Sequence, residues 1–215
     1  MGHRYNMVKW FADRVGTAEG SKEHHRIIDV YNTQRPLPRG YRMWYADSWC
    51  AASVTVAAME TDNAKVIPPE CGCGEMMRYA KQRNIFAGPD YRPKLGDLIL
   101  YSWNKDSWPD HIGIVYNYNK NTDLISTIEG NYQDSIKTRQ IVGGSGHIVG
   151  YICPKYETLD GEDDPELRAV ALAVIQGKYG NGIARRLRLT AAGYSYDEVQ
   201  RLVNKILKEG GNLLT

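Results

Sequence analysis

Residues 97–118 read DLILYSWNKDSWPDHIGIVYNY, and this stretch decides the fold class. Two short apolar runs, 97–103 and 111–118, flank a segment rich in Asn, Asp and Pro, as in two β-strands joined by a turn. The same alternation of apolar runs and turn residues continues downstream, which predicts an antiparallel sheet. Its further strands are expected at 123–131, 136–142 and 147–154.

Upstream of this sheet the pattern is typical of helices. Residues 48–60, SWCAASVTVAAME, are rich in Ala and contain no Gly or Pro. Ser48 is a suitable N-cap, so Cys50 is expected in the first helical turn. Helices are also predicted at 5–15 and 75–84. Helices followed by antiparallel strands indicate an α+β domain whose N-terminal helices pack on the sheet.

The C-terminal quarter differs in charge from the rest of the chain. Residues 157–166 hold six acidic side chains and no basic ones, so we expect a solvated linker there. Residues 167–215 hold eight basic and three acidic side chains. We therefore predict a large domain at 1–156, the acidic linker at 157–166 and a small basic module at 167–209.

The overall composition excludes several classes of protein. The 215 residues are 42% hydrophobic and 24% charged, with a formal net charge of +2, which is typical of a globular protein. No stretch approaches the ~18 to 20 apolar residues of a membrane-spanning helix. The charged, amphipathic N-terminus lacks the apolar region of a secretory signal, so we expect a cytoplasmic location in the producing cell. Four scattered cysteines are expected to be free thiols.

Three polar residues suggest nucleophilic catalysis. Cys50 begins a predicted helix, where the helix dipole favours a thiolate. His111 opens one predicted strand and Glu129 closes the next, so a hairpin would make them neighbours. A cysteine that attacks an amide needs a base, and the base needs a third group that orients it. The alternative is structural: a buried small Cys50, a strand-end His111 and a surface Glu129.

Four motifs in this order resemble the CHAP domain, a cysteine- and histidine-dependent amidohydrolase/peptidase of the papain-like NlpC/P60 group. They are Trp49-Cys50-Ala-Ala-Ser, Gly96-Asp97 at a strand start, Asp110-His111-Ile-Gly-Ile-Val and Ile128-Glu129-Gly-Asn131. The resemblance implies that Cys50 is the nucleophile, His111 the base and then the acid, and Glu129 the residue that orients His111. It adds Asn131 as a fourth polar member of the catalytic set. The implied substrate is an amide of bacterial peptidoglycan.

The small module is similar to the CW_7 cell-wall-binding repeat of phage lysins over about 40 residues, from Val170 to Leu207. Gly clusters divide it into three predicted helices, at 167–177, 182–192 and 195–208. Muropeptide binding is expected from residues left over once the core is filled. Arginine forks suit carboxylates and tyrosine rings suit sugar faces, so the candidates are Arg185, Arg186, Tyr179 and Tyr194. The basic residues form no nucleic-acid motif, and neither nucleic acid nor membrane insertion is expected.

Both resemblances together imply a phage or prophage endolysin that reaches the wall through a holin-type pore. We expect a stem-peptide endopeptidase, for instance at D-glutamyl-L-Lys or D-glutamyl-diaminopimelate. The alternative is an N-acetylmuramoyl-L-alanine amidase with the same triad. Two further hypotheses are a non-catalytic wall-binding adaptor and a cysteine enzyme that acts on proteins. We expect a monomer, and self-association through the small module remains an open alternative.

No cofactor and no metal are expected. Many CHAP domains carry an acidic calcium loop before the cysteine, but residues 41–49 contain only one carboxylate, Asp47, which cannot build a calcium cage. Cys71 and Cys73 lie one residue apart, closer than the usual spacing of zinc ligands, and only His24 and His25 could complete a site. Ordinary reduced thiols are the favoured interpretation of this pair.

Overall fold

The computed structural model describes residues 4–156, 165–192, 194 and 196–210. The chain divides into two compact units, Met1–Glu157 and Thr158–Thr215, and each is described by itself. Most of the predicted acidic linker, residues 157–164, lies outside the described residues. Its last two residues, Pro165 and Glu166, already belong to a helix.

In the first unit, helices precede strands, as the sequence predicts. The helices are α1 (Arg4–Ala12), α2 (Lys22–Tyr31), α3 (Cys50–Glu60) and α4 (Cys73–Gln82), with a short 3-10 helix at Pro38–Gly40. The strands are β1 (Phe86–Ala87), β2 (Leu98–Tyr101), β3 (His111–Asn119), β4 (Leu124–Glu129), β5 (Lys137–Val142) and β6 (Ile148–Ile152). The α+β prediction is therefore confirmed.

The six strands form one antiparallel sheet in the order β1-β6-β2-β3-β4-β5. β3 and β4 pair as a hairpin, with Ile114 opposite Ile128, so the start of β3 lies beside the end of β4. On the other side of β3, Tyr101 of β2 lies opposite His111. This register brings the polar residues at the strand ends together at one end of the sheet.

Helix α3 lies at the centre of the core. Nine successive residues, Cys50–Ala58, are buried, which is possible because Ala, Ser and Cys let neighbouring elements approach from all sides. The same core takes in α1 and α2 through Phe11, Ile27 and Ile28, and one sheet face through Leu98 and Ile114. The position of Cys50 is therefore fixed by packing around the whole helix.

Helix α2 and the two-residue strand β1 are absent from the sequence-based prediction. Helix α2 is capped by the Ser21 hydroxyl, which accepts a hydrogen bond from the backbone N–H of His24. Its buried face consists of His24, Ile27, Ile28 and Tyr31. These residues recur at helical spacing, so the segment carries a helical signal that the prediction above left unused. Strand β1 is too short to give a period at all.

The second unit contains three helices in its described residues: α5 (Pro165–Ile175), α6 (Gly182–Ala191) and α7 (Tyr196–Gly210). This confirms the predicted three-helix module. Its buried core consists of Leu167, Val170, Ala171, Val174, Leu189, Val199, Leu202 and Val203. Helix α6 contributes one buried residue, Leu189, and leaves Ile183 and Leu187 exposed. Within the described ranges, none of the helices has the length and apolar character needed to span a bilayer.

Candidate active site

Cys50 is the first residue of α3. The predicted cap at Ser48 is wrong, because the helix begins one residue later and Trp49 takes the cap position without a side-chain hydrogen bond. The first backbone N–H groups of α3 therefore remain available to an anion at the helix start, where the dipole also favours negative charge. The Cys50 sulfur lies where a thiolate is stabilised.

His111 and Glu129 form a buried pair at the end of the β3–β4 hairpin. His111 Nε2 lies 3.0 Å from Glu129 Oε2, and the Glu129 side chain is fully buried. This contact uses one ring nitrogen of His111 and leaves Nδ1 for a second partner. The predicted neighbourhood of the two residues is thus present in the structure.

Three residues that the sequence analysis did not single out also hold Glu129. The hydroxyls of Tyr101 and Thr127 donate to Glu129 Oε1 over 2.8 Å and 2.6 Å. Arg139 on β5 donates from Nε to both carboxylate oxygens, over 3.0 Å and 2.9 Å. The Arg139 guanidinium also stacks on the ring of Tyr132, 3.7 Å from its centroid. Together with His111 on β3, these donors hold Glu129 from four strands.

Gly113 makes room for this carboxylate. A Cβ atom at position 113 would lie 2.6 Å from Glu129 Cγ, closer than side-chain carbons approach. The glycine of the His111-Ile-Gly113 motif is therefore required by the path of the Glu129 side chain across the neighbouring strand.

A second thiol accompanies the candidate nucleophile. Cys73 is the first residue of α4, and its sulfur lies 3.6 Å from that of Cys50. Two helix N-termini thus meet at one pair of sulfur atoms. The sequence pattern gave no sign of this contact, because the loop between α3 and α4 has no periodic structure that fixes its path.

The charges of these groups support an ion pair. A hydrogen bond from Cys73, opposed by burial and assisted by His111, holds the pKa of Cys50 well below the usual range of a thiol. Burial disfavours the His111 cation, but Cys50 and Glu129 outweigh it and raise the pKa of His111 to about 9. Burial opposes the charge of Glu129 too, yet His111, Thr127 and Arg139 keep its pKa below the usual value. The favoured state is a thiolate beside an imidazolium.

We expect this ion pair to set the pH dependence of activity. Because the pKa of His111 is raised, its cation persists up to about pH 9 and is lost above it. Because the pKa of Cys50 is lowered, its thiolate persists to lower pH than that of an ordinary cysteine. The rate on a soluble muropeptide, measured against pH, should therefore fall on the alkaline side above about pH 9, where the His111 cation is lost. An alkaline fall in rate near pH 6.5, the ordinary pKa of histidine, would contradict the pairing of His111 with Cys50 and Glu129.

Two cavities border the candidate site: Cys50 lines one and His111 lines the other. One, of about 410 Å³, is bounded by Cys50, Cys73 and Trp108 among others. The other, of about 310 Å³, is lined by Trp103, His111, Asn131, Tyr132, Gln133 and Arg139. Asn131 has a left-handed backbone, with φ of 56°, and lines this second cavity beside His111. In the described residues it makes no side-chain hydrogen bond to His111 or Glu129.

The residues predicted to bind muropeptides differ in availability. Arg185 is engaged within its own unit: its guanidinium donates to the Gly180 carbonyl and to the side chains of Gln200 and Asn181. Tyr179 and Tyr194 are partly buried against the helical core. The Tyr194 hydroxyl also donates to Glu166 over 2.7 Å. Arg186 is exposed and lies 5.3 Å from the centroid of Tyr196.

The side chains considered above as metal ligands contact hydrogen-bond donors, a guanidinium or an aromatic ring. Asp47 accepts hydrogen bonds from the Tyr41 hydroxyl and the Trp44 backbone. Cys71 lies near Arg39, with Nη2 at 3.9 Å from its sulfur, whereas His24 is buried against Trp49. All four cysteines are free thiols. Across the described residues, no three His, Cys, Asp or Glu side chains group as metal ligands.

Comparison with known families divides the chain in the same way. The CHAP domain model matches residues 32–131, which include Cys50, His111, Glu129 and Asn131. The CW_7 repeat model matches residues 168–207, which include all three helices of the second unit in part or whole. A search of curated proteins found no match. The CHAP match implies a papain-like fold and supports cysteine-dependent hydrolysis of peptidoglycan, as an amidase or peptidase, while the CW_7 match indicates cell-wall binding. The chain contains a CHAP domain followed by a CW_7 repeat.

Proposed function

We propose that this protein cleaves an amide bond in the stem peptide of peptidoglycan through Cys50, His111 and Glu129. The observation that carries the proposal is a helix-start thiol whose pKa His111 helps to lower, together with the buried carboxylate of Glu129 that orients this histidine. A purely structural role for these residues does not explain why a buried carboxylate with four donors is aimed at a histidine. Such a carboxylate costs desolvation free energy that a catalytic role accounts for.

The reaction follows from the geometry. The Cys50 thiolate attacks the amide carbon, and the oxyanion that forms is met by a backbone N–H at the start of α3. His111 gives its Nδ1 proton to the leaving amine, and a thioester on Cys50 remains. Water then attacks the thioester while His111 takes up a proton, and the carboxylic acid leaves. Glu129 stays ionised throughout and stabilises the imidazolium through Nε2.

We favour an endopeptidase that cuts within the stem, at a bond such as D-glutamyl-L-Lys or D-glutamyl-diaminopimelate. The two cavities support this, since Cys50 lines one and His111 lines the other, and each offers space beside a reacting group. The N-acetylmuramoyl-L-alanine amidase remains the alternative, with the same nucleophile. Digestion of purified peptidoglycan, with new termini assigned by N-terminal labelling and mass spectrometry, separates the two. A new terminus inside the stem is expected, whereas a free L-Ala terminus would identify the amidase.

We further propose that the second unit holds the enzyme on the wall, with Arg186 as a contact for muropeptide carboxylates. Arg186 is exposed, whereas Arg185 is occupied within the module. Arg186→Gln should therefore weaken binding to purified walls by about tenfold, the value of one lost charge-assisted hydrogen bond. Pelleting with walls measures this, in a Cys50→Ala background that leaves the wall intact.

Arg201→Gln on α7 is the matched control, because it removes the same charge from another exposed surface of the module. Binding by this variant should stay close to that of the parent. Equal losses in both variants would show that net charge, and not the Arg186 position, determines wall affinity.

We also propose that the protein acts as an endolysin of a phage or prophage. The pairing of a CHAP domain with a wall-binding repeat supports this role. In this account the enzyme stays in the cytoplasm until a holin-type pore opens. Expression in a susceptible host with and without a holin tests it: lysis is expected only when the pore is present. Lysis at the same rate in both cultures would contradict pore-dependent release.

A further inference from the structure

The hydrolysis proposed above needs one thiol, but the site contains two. The sulfurs of Cys50 and Cys73 lie 3.6 Å apart, although 23 residues separate them in sequence. Each begins a helix, and each side chain is almost buried, with 4% and 6% exposure. Two thiols in contact can be oxidised to a disulfide, and this reaction does not depend on the wall substrate.

The other two cysteines do not share this arrangement. The sulfur of Cys71 lies near Arg39. Cys153 packs against a separate apolar cluster on the other face of the sheet, with Tyr91 and Tyr151. Among the four cysteines, all of which belong to the described residues, the Cys50–Cys73 contact is the one close sulfur pair.

We propose that Cys73 is a resolving thiol, which captures a peroxide-oxidised Cys50 as a Cys50–Cys73 disulfide and so makes oxidative inactivation of the site reversible. The oxidant is a hydroperoxide, of which hydrogen peroxide is the simplest.

The reaction balances in two steps. The Cys50 sulfur attacks one peroxide oxygen, the O–O bond breaks, and Cys50 becomes a sulfenic acid while one water is released. The Cys73 sulfur then attacks the Cys50 sulfur, an S–S bond forms and the S–OH bond breaks. The departing hydroxide takes the Cys73 proton and leaves as a second water. Overall, two thiols lose two electrons and two protons, and the peroxide is reduced to two waters.

The geometry suits both steps. The cavity of about 410 Å³ is lined by Cys50 and Cys73, so a small peroxide can reach the sulfurs without unfolding of the core. To bond, the sulfurs must close from 3.6 Å to the disulfide length of about 2.05 Å. The lowered pKa of Cys50 and the raised pKa of Cys73 also fit the order of events, with Cys50 reacting first.

The test treats the full-length protein with hydrogen peroxide, alkylates the remaining thiols and maps the cysteines by mass spectrometry. Trypsin places Cys50 on the peptide 43–65 and both Cys71 and Cys73 on the peptide 66–78. The expected product is a cross-link between these two peptides, with a loss of about 2 Da for the protein. A thiol reductant should remove the cross-link and restore both free thiols.

Two variants identify the partner. Cys71→Ala should still form the cross-link, because Cys73 remains. Cys73→Ala should instead carry Cys50 to the sulfinic acid, a gain of about 32 Da that a thiol does not reverse. A cross-link lost in Cys71→Ala, or wild-type Cys50 found only as sulfinic acid, would overturn the proposal. Because the readout is mass, it remains valid whichever bond the enzyme cuts, and even if the proposed hydrolysis fails.

Discussion

Replacement of Cys50 by alanine is expected to reduce peptidoglycan hydrolysis by at least about 10³-fold, since it removes the sulfur that forms the proposed thioester. The fold should persist, because alanine fits the small-residue environment of α3 and removes only one sulfur from the core. Wall binding should also persist, since the CW_7 repeat is untouched. Release of new amino termini from purified walls, compared with pelleting by the same preparation, measures both properties.

Cys153→Ala is the matched control for this experiment. It removes a free thiol of the same unit that packs in the cluster away from α3, so its hydrolysis should match that of the wild type. If Cys50→Ala retained full hydrolysis, Cys50 would not be the nucleophile. If neither the wild type nor the variant released termini from any wall, the non-catalytic adaptor would become the better hypothesis.

The second large effect is expected from Glu129→Gln, which should lower kcat by about 10²- to 10⁴-fold. The amide keeps the shape of the carboxylate but no longer stabilises the His111 cation. It also presents an NH₂ group where the site supplies only donors, namely Tyr101, Thr127 and Arg139. Both effects disturb the orientation of the imidazole. Single-turnover hydrolysis of a soluble muropeptide measures the loss.

The pH profile distinguishes this role from a merely structural one. Glu129 helps to raise the pKa of His111, so its removal should move the alkaline fall in rate below the wild-type position of about 9. Arg139→Gln is the comparison, because it removes one donor to Glu129 and leaves the carboxylate in place. It should cost less activity than Glu129→Gln. An unchanged alkaline fall in Glu129→Gln would contradict the orienting role.

The contact between His111 and Glu129 could be predicted from sequence because it depends on local rules. Two adjacent strands that pair as a hairpin place the start of one beside the end of the next, and both residues lie at those positions. The position of Cys50 at a helix start could be predicted for a similar reason, since an Ala-rich segment without Gly or Pro fixes where the helix begins to within about a residue. The cap at Ser48 was wrong by that margin.

The rest of the site depends on contacts that sequence patterns do not encode. Arg139 supports Glu129 because β5 pairs with β4 in a register that sets Thr127 opposite Arg139. A shift of one residue would turn Arg139 to the other face of the sheet, and nothing in the alternation of 136–142 specifies which face it takes. Cys73 approaches Cys50 through an irregular loop. The spacing of Cys71 and Cys73 led us to consider a zinc site, and it does not predict the contact between Cys73 and Cys50.

Because α3 is buried, the position of the Cys50 sulfur and the composition of the cavity walls depend on different parts of the chain. The proposed nucleophile, Cys50, is anchored by a helix whose first nine residues are buried, whereas the cavity walls come largely from connecting segments such as 103–110 and 130–136. Loops tolerate replacement far better than a close-packed helix does. Libraries confined to those segments, with Trp103, Trp108, Tyr132 and Gln133 as the varied positions, can therefore be screened for lysis of other bacterial species while the reacting sulfur keeps its setting.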